Sequence, residues 1–207
     1  MASILDLLKT EIGEKVIAKA SDKTNESKDK VSSVLGMAMP LLLGALKNNS
    51  KDEEGAKKIS GALDSEKHNG ALLNNIDQAN PDDMTSEGSK ILDHILGGKQ
   101  SGIVKTISST LNVSEDSVHN ILKMAAPVIM SLLGSQKRKD NVGASGITGL
   151  ISSVLGSSSS HDSSLIDSLL KHGGDGKVIG DIAGKFLGGG KKGKEGGSIL
   201  GGFTGGK

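Results

Sequence analysis

The chain lacks cysteine, tyrosine and tryptophan, and it has only two phenylalanines among its 207 residues. Without cysteine it can form no disulfide, and it offers no thiolate for zinc binding or redox chemistry. Without aromatic rings it has almost no platform on which the bases of single-stranded nucleic acid could stack. The residues that are abundant, among them leucine, alanine, lysine and serine, favour helices over sheets.

Neither sign of charge dominates the chain. Its 25 Lys and Arg residues against 24 Asp and Glu residues give a net charge of +1, so no global field steers it toward nucleic acid or anionic lipid. Residues 1–99 carry 13 basic and 16 acidic side chains, and residues 100–207 carry 12 and 8. This asymmetry is modest and lies partly in the C-terminal segment.

The chain also lacks a long apolar run and a basic N-terminal region. Its longest apolar run covers residues 34–46, which are 13 residues with Pro40 among them, whereas a bilayer requires about 20. The first residues do not have the basic start and uninterrupted apolar stretch of a signal peptide. We therefore expect a buried core helix in a soluble, cytoplasmic protein without a membrane span.

The most informative feature that is present is an internal duplication. The pattern V-x-x-[VI]-L-x-M-A-x-P covers residues 31–40 and recurs at 118–127, an offset of 87 residues. Weaker matches extend in both directions, so each copy has about ninety residues. We interpret 1–99 and 100–190 as two tandem helical repeats, and 191–207 as a flexible, Gly/Lys-rich C-terminal tail.

Periodic apolar positions and capping residues predict an all-α, multihelical fold. Ser27 and Ser114 should cap the two helices that contain the repeated pattern. Further helices are predicted at 2–21, 52–64, 86–96, 143–155, 161–171 and 176–187, with a turn at 74–83. The residues expected in the core of the two copies are Leu35, Met37, Leu42, Leu46, Leu122, Met124, Ile129 and Leu133.

Pro40 and Pro127 fall inside the two repeated helices. A proline within a helix removes one backbone hydrogen bond and clashes with the carbonyl four residues earlier. We therefore predict a kink or a break in the core helix of each copy, either as a bend around the core or as a functional hinge.

Residues 107–121 have the apolar skeleton of a helix-turn-helix motif, with a turn at Asn112. The helix that would read DNA begins with Glu115 and Asp116, however, where phosphates and base edges require basic or amide side chains. A structural helical corner is therefore the first interpretation of this segment, and a nucleic-acid site is the alternative.

No catalytic, cofactor-binding or metal-binding constellation stands out. The five histidines, His68, His94, His119, His161 and His172, show no ligand spacing, and we expect them at the surface. Residues 188–194 read G-x-x-x-x-G-K, but Glu195 follows where a phosphate-binding loop requires Ser or Thr. No site residue or cofactor is therefore predicted.

Taken together, the twice-repeated M-A-x-P helix, the N-V-S-E-like turn before it, the G-A-x-x-I helix and the I-L-G-G ending resemble the YidB-like bacterial family. The resemblance covers about residues 1–190 and is to tandem copies of the family's pattern. It implies an all-α multihelical fold and a bacterial origin, and it brings no activity, cofactor or active site. Asn25 and Asn112 stand where the family has glycine at the turn, and asparagine tolerates the left-handed conformation.

The sequence thus favours a non-enzymatic protein that acts through contacts with a protein partner or with itself. The expected mechanism is helix-face packing around the two proline-containing helices. Nucleic-acid association through the corner at 107–121 and the basic tail is the alternative, and an enzyme ranks third. The identity of a partner does not follow from the residues.

Overall fold

The computed structural model describes residues 7–156, and every regular element in that range is helical. Seven helices follow one another: α1 (Glu11–Thr24), α2 (Lys28–Asn49), α3 (Glu53–Asp64), α4 (Pro81–Leu96), α5 (Gln100–Leu111), α6 (Glu115–Lys139) and α7 (Ile147–Leu155). The connections contain single helical turns, at Glu66–His68, Ala71–Asn74, Ile76–Gln78, Gly97–Lys99 and Ala144–Gly146. The predicted all-α class is confirmed.

Helix α6 lies at the centre of the fold and contacts each of the other six helices. The buried apolar residues of both halves form one cluster around it. All eight residues that were expected in the core belong to this cluster, and none is more than 6 % exposed. The two proline-containing helices are therefore interior elements that stabilise the fold through burial.

The corners before α2 and α6 share the same local geometry. Asn25 and Asn112 both have a left-handed backbone, with φ of 56° and 50°. Ser27 and Ser114 both cap the following helix, and each accepts a hydrogen bond from the backbone N–H three residues later. These predicted caps and turns are confirmed, while the superposition of the two complete halves stays a prediction.

Helices α2 and α6 run through Pro40 and Pro127 without interruption. The predicted break is therefore wrong at both prolines. Each proline is flanked on both sides by buried residues. Their burial outweighs the cost of a proline within a helix, which is about 3 kcal/mol for the lost hydrogen bond and the steric clash together. A bend without a break stays a prediction.

A close helix crossing involves the carbonyl that Pro127 leaves without its helical donor. In a regular helix the N–H of residue 127 would bond to the carbonyl of Lys123, and proline has no N–H. At this point Gly88 of α4 approaches so closely that a Cβ would lie 1.7 Å from the Lys123 oxygen. Only glycine permits this distance between α4 and α6.

Several predicted boundaries need correction. Within the predicted helix 2–21, the described helix α1 begins at Glu11 after the N-cap Thr10 and ends at Thr24, three residues later than predicted; residues 1–6 lie outside the described residues. Helix α4 begins at Pro81 with Asn80 as its N-cap, so the predicted turn residues start the helix. The segment predicted as a helix at 143–155 begins with a 3₁₀ turn, and α7 follows from Ile147. The predicted helices at 161–171 and 176–187 and the tail at 191–207 lie outside the described residues.

Two helices, α2 and α6, are long and apolar enough to cross a membrane by length and composition alone. Most of each helix is buried inside the fold, and the core helix of a globular protein passes the same test.

Replacing Gly88 with alanine should destabilise the protein by about 1–3 kcal/mol, because the new methyl group would collide with the backbone of α6. Gly61 of α3 is the matched control, since it is exposed and a Cβ there would meet no neighbouring atom within 4 Å. Gly61→Ala should stabilise by about 0.5–1 kcal/mol through helix propensity. Chemical denaturation of both variants measures this, and a Gly88→Ala protein as stable as wild type would contradict the crossing.

Candidate functional site

A groove separates α3 from α4 on one side of the fold, and we call it the α3–α4 groove. It has a volume of about 330 Å³, at the lower end of the range for ligand pockets. Its floor consists of Leu46 of α2 and Met130 of α6. Its walls are lined by Gly55, Lys58, Ile59, Ala62, His68, Glu87, Lys90, Ile91, His94 and Ile95, and by Asn49 at one end.

The groove exists because two amphipathic helices pack on the core without covering each other's apolar edges. Asp52 caps α3 by accepting a hydrogen bond from the Gly55 N–H at 2.7 Å. Gly55 also lets the chain turn tightly from α2, because a Cβ there would lie 1.9 Å from the Asn49 oxygen. Ile59 and Ile91 then face the groove and remain half-buried.

His68 lines the groove and is 6 % exposed. Its Nδ1 lies 2.7 Å from the carbonyl oxygen of Ala62, which can only accept, so the neutral ring carries its hydrogen on Nδ1. Nε2 is then a bare acceptor, and it has no hydrogen-bond partner among residues 7–156. A buried polar atom without a partner costs about 1–3 kcal/mol. The prediction of a surface histidine is wrong for His68.

Hydrogen bonds and an ion pair hold the turn that carries His68 against the C-terminal half of α6. Arg138 donates hydrogen bonds to the carbonyl oxygens of Asp64, Ser65 and His68 at 3.0–3.1 Å. Lys137, which is 9 % exposed, forms an ion pair with Asp64 at 2.5 Å. These contacts hold the turn in place, so the His68 ring is a fixed part of the groove wall, with its Nε2 atom buried inside the fold.

The rim of the groove is basic. Lys58 pairs with Glu54 at 2.6 Å, and Lys67 pairs with Glu87 at 3.0 Å. Lys90 has no ion-pair partner among the described residues, although it lines the groove. Because the exposed pairs are screened and weak, Lys90 supplies the main uncompensated charge at this edge.

A second cavity of about 610 Å³ continues along α4 toward Pro127 and shares His68, Glu87 and Lys90 with the groove. The Lys67–Glu87 ion pair lies where the two cavities meet, since Glu87 lines both of them. A molecule that displaced this exposed pair would lose little energy and would gain a longer binding surface along α4.

Comparison with known proteins identifies the family. A family model described as a bacterial protein of unknown function, DUF937, matches residues 6–136, which is more than half of the chain. The chain belongs to the DUF937 family. This single match contains both M-A-x-P helices and does not divide into two. Neither the curated proteins nor the solved structures compared with the chain contain a significant match.

The predicted corner at 107–121 of this DUF937 chain forms as two helices joined at Asn112. Val118, Ile121 and Leu122 of its second helix are fully buried in the core. The start of α6 reaches solvent, and it presents Glu115 and Asp116. In the helix that would have to enter a DNA groove, the buried side chains therefore already pack against the rest of the protein.

Beside that corner lies a cleft of about 390 Å³ whose charged lining is acidic, with Asp93, Glu115 and Asp116 around His119. The Gln100 side-chain amide donates to Nε2 of His119 at 2.5 Å, which requires the neutral ring. Within residues 7–156 no three His, Asp or Glu side chains are arranged to hold a metal ion. His161, His172 and the G-x-x-x-x-G-K segment lie outside that range.

The surroundings of His119 in this cleft lead us to expect that the protein is less stable at acidic pH. Burial lowers the pKa of His119 below its usual value of 6.5, and Lys123 lowers it further, while Asp116 and Asp93 act in the opposite direction. His119 therefore binds a proton more readily in the unfolded chain than in the folded one. Its stabilising contribution to the free energy of unfolding is present above about pH 6.5 and is lost as the pH falls below that value. His119→Gln should lose less stability than wild type between about pH 7.5 and pH 5.

The control for this measurement is His94→Gln, which changes an exposed histidine on α4. Denaturant unfolding at both pH values gives the difference for each protein. If acidification destabilises the His119→Gln protein as much as wild type and the control, His119 does not carry the effect.

Proposed function

We propose that this DUF937 protein is a non-enzymatic binding protein whose α3–α4 groove receives apolar side chains of a protein partner or of a second copy. The observation that supports the proposal is the combination of an apolar floor and half-buried isoleucines on both walls. Such a groove resembles those that accept a row of side chains from an amphipathic helix.

The proposed mechanism differs from the one expected from the sequence. The apolar faces of the proline-containing helices are largely buried in the core of the protein itself, so we place the partner elsewhere. The α3–α4 groove is instead built from the edges of two outer helices, so a partner can reach it without unfolding the core. We further propose that the two halves arose by tandem duplication and that the protein acts in the cytoplasm without a membrane span.

Adding a charge to the groove tests the proposal. Ala62 is exposed on α3 and lines the groove, so Ala62→Glu should leave stability within about 0.5 kcal/mol of wild type and weaken the partner complex at least tenfold. Ser33→Glu places the same side chain on an exposed position of α2 outside the groove. Mass spectrometry of proteins recovered with each variant identifies groove-dependent partners, and titration with the purified partner measures the affinity.

If the partner is a second copy, size-exclusion chromatography with light scattering measures the molecular mass of each variant in solution. The proposal fails if Ala62→Glu and Ser33→Glu retain the same partners with equal affinity and the same molecular mass as wild type.

Double-stranded DNA should bind this protein only weakly, with a dissociation constant of about 10⁻⁴ M or higher at physiological salt. The exposed start of α6 carries acids, and the first basic residue of that helix is Lys123, which packs under α4 near Gly88. A fluorescence-anisotropy titration checks this. Sub-micromolar affinity that weakens with salt and disappears in Lys123→Glu would restore the nucleic-acid alternative.

A further inference from the structure

We infer that the partner of the α3–α4 groove is an amphipathic helix of about three turns, which carries an acidic and a basic residue two turns apart beside its apolar row. This inference rests on the proposed function, because it names the kind of partner that the groove receives. The charges and the apolar residues along α4 and its neighbours determine the pattern.

The groove and the second cavity form one depression along a single face of α4. Asp83, Glu87 and Lys90 line the second cavity, and Glu87, Lys90 and His94 line the groove. At about 3.6 residues per turn, these positions share one stripe of the helix surface. From Asp83 to Ile95 the stripe is about 18 Å long, which matches the length of a partner helix of about twelve residues.

Two unpaired charges of opposite sign lie on this stripe. Asp83 and Lys90 are both exposed, and neither has an ion-pair partner among residues 7–156. Lys90 lies about 10 Å further along the axis of α4 than Asp83. Glu87 lies between them and pairs with Lys67 at 3.0 Å. A partner helix with a carboxylate near Lys90 and a basic group near Asp83 is therefore favoured, because both contacts are then complementary.

The apolar row of the partner follows from the residues beneath these charges. Ile59 and Ile91 are half-buried in the walls of the groove. Leu72 and Met84 line the second cavity and extend the apolar surface in that direction. A helix presents such a surface with apolar residues at positions i, i+4 and i+7. The acidic and the basic residue then flank this row and lie seven positions apart, like Asp83 and Lys90.

The described helices of a second copy do not offer such a row. Every leucine, isoleucine, valine and methionine among residues 7–156 is buried or at most half-buried. Within that range, no helix therefore presents exposed, large apolar side chains to a neighbouring molecule. For this reason we assign the groove to a helix of a different protein.

A library of helical peptides tests the inference without a known partner. Peptides of about 16 residues, one turn longer than the stripe, are displayed on phage with a fixed apolar row. Lysine, glutamate and glutamine are varied at every flanking position, and selection uses the full-length wild-type protein. The enriched peptides should carry an acidic and a basic residue seven positions apart. Selection against Lys90→Glu should remove the preference for the acidic residue.

Exchange of charge between the protein and a selected peptide then measures the contact. The peptide should bind Lys90→Glu roughly fivefold more weakly than wild type, because the reversal turns an exposed attraction into a repulsion. Replacing the acidic residue of the peptide with lysine should restore its affinity for Lys90→Glu and weaken its binding to wild type. Asp83→Lys should show the same behaviour with the basic residue of the peptide.

The matched control is Lys105→Glu, which should leave the affinity unchanged. Lys105 is an exposed lysine of α5 that lines neither cavity. Like Lys90, it has no ion-pair partner among the described residues. Circular dichroism and thermal unfolding verify that each variant is folded.

Equal affinity of the selected peptides for wild type, Lys90→Glu and Asp83→Lys would overturn the inference. Wild-type dimers that dissociate in Ala62→Glu would also overturn it, because the groove would then hold a second copy.

The proposed function is decided separately. If Ala62→Glu weakens the selected peptides and the charge reversals do not, the groove is a binding site and the charge pattern of the partner is wrong. If selection yields no peptide, the inference fails, and the recovery of natural partners with Ala62→Glu alone decides the proposed function.

Discussion

The fold depends on the crossing of α4 over α6 at Gly88. Pro127 removes the donor that the Lys123 carbonyl would have in a regular helix, and Gly88 approaches the same carbonyl at a distance that excludes any side chain. The carbonyl that α6 leaves without a helical donor thus lies where α4 packs closely on it. A Cα–H contact with the free carbonyl offsets part of the lost hydrogen bond, and the close approach increases the buried area along both helices.

This crossing also determines the groove. When α4 packs on α6, its apolar edge at Ile91 and Ile95 does not reach α3. The position of α3 is fixed independently, by the tight turn at Gly55 and by the contacts of Asp64 with Lys137 and Arg138. Met130 of α6 is left as the floor between them. The groove is therefore a consequence of two strong local constraints, and rigid elements of this kind keep a binding surface preorganised.

The sequence predicts the elements better than their connections. Local signals sufficed for the caps at Ser27 and Ser114 and for the core residues of α2 and α6, because capping and 3.6-residue periodicity act within a few positions. The continuity of the helices through Pro40 and Pro127 could not be predicted, since it depends on burial by helices distant in sequence. The same reason applies to the candidate site: His68 stands in a short polar connection, and its burial arises from Arg138 and Gly134, more than sixty residues later.

The position of His68 is difficult to explain by stability alone. The bond from Nδ1 to the Ala62 carbonyl contributes about 1 kcal/mol, and leaving Nε2 buried without a partner costs about 1–3 kcal/mol. An apolar side chain of similar size would fill the same space without that cost and would lose only the one bond. The turn is nevertheless held against α6 by three carbonyl contacts of Arg138, which fix the ring at the groove. These contacts, more than the hydrogen bond of the ring itself, account for the position of His68 in the groove wall.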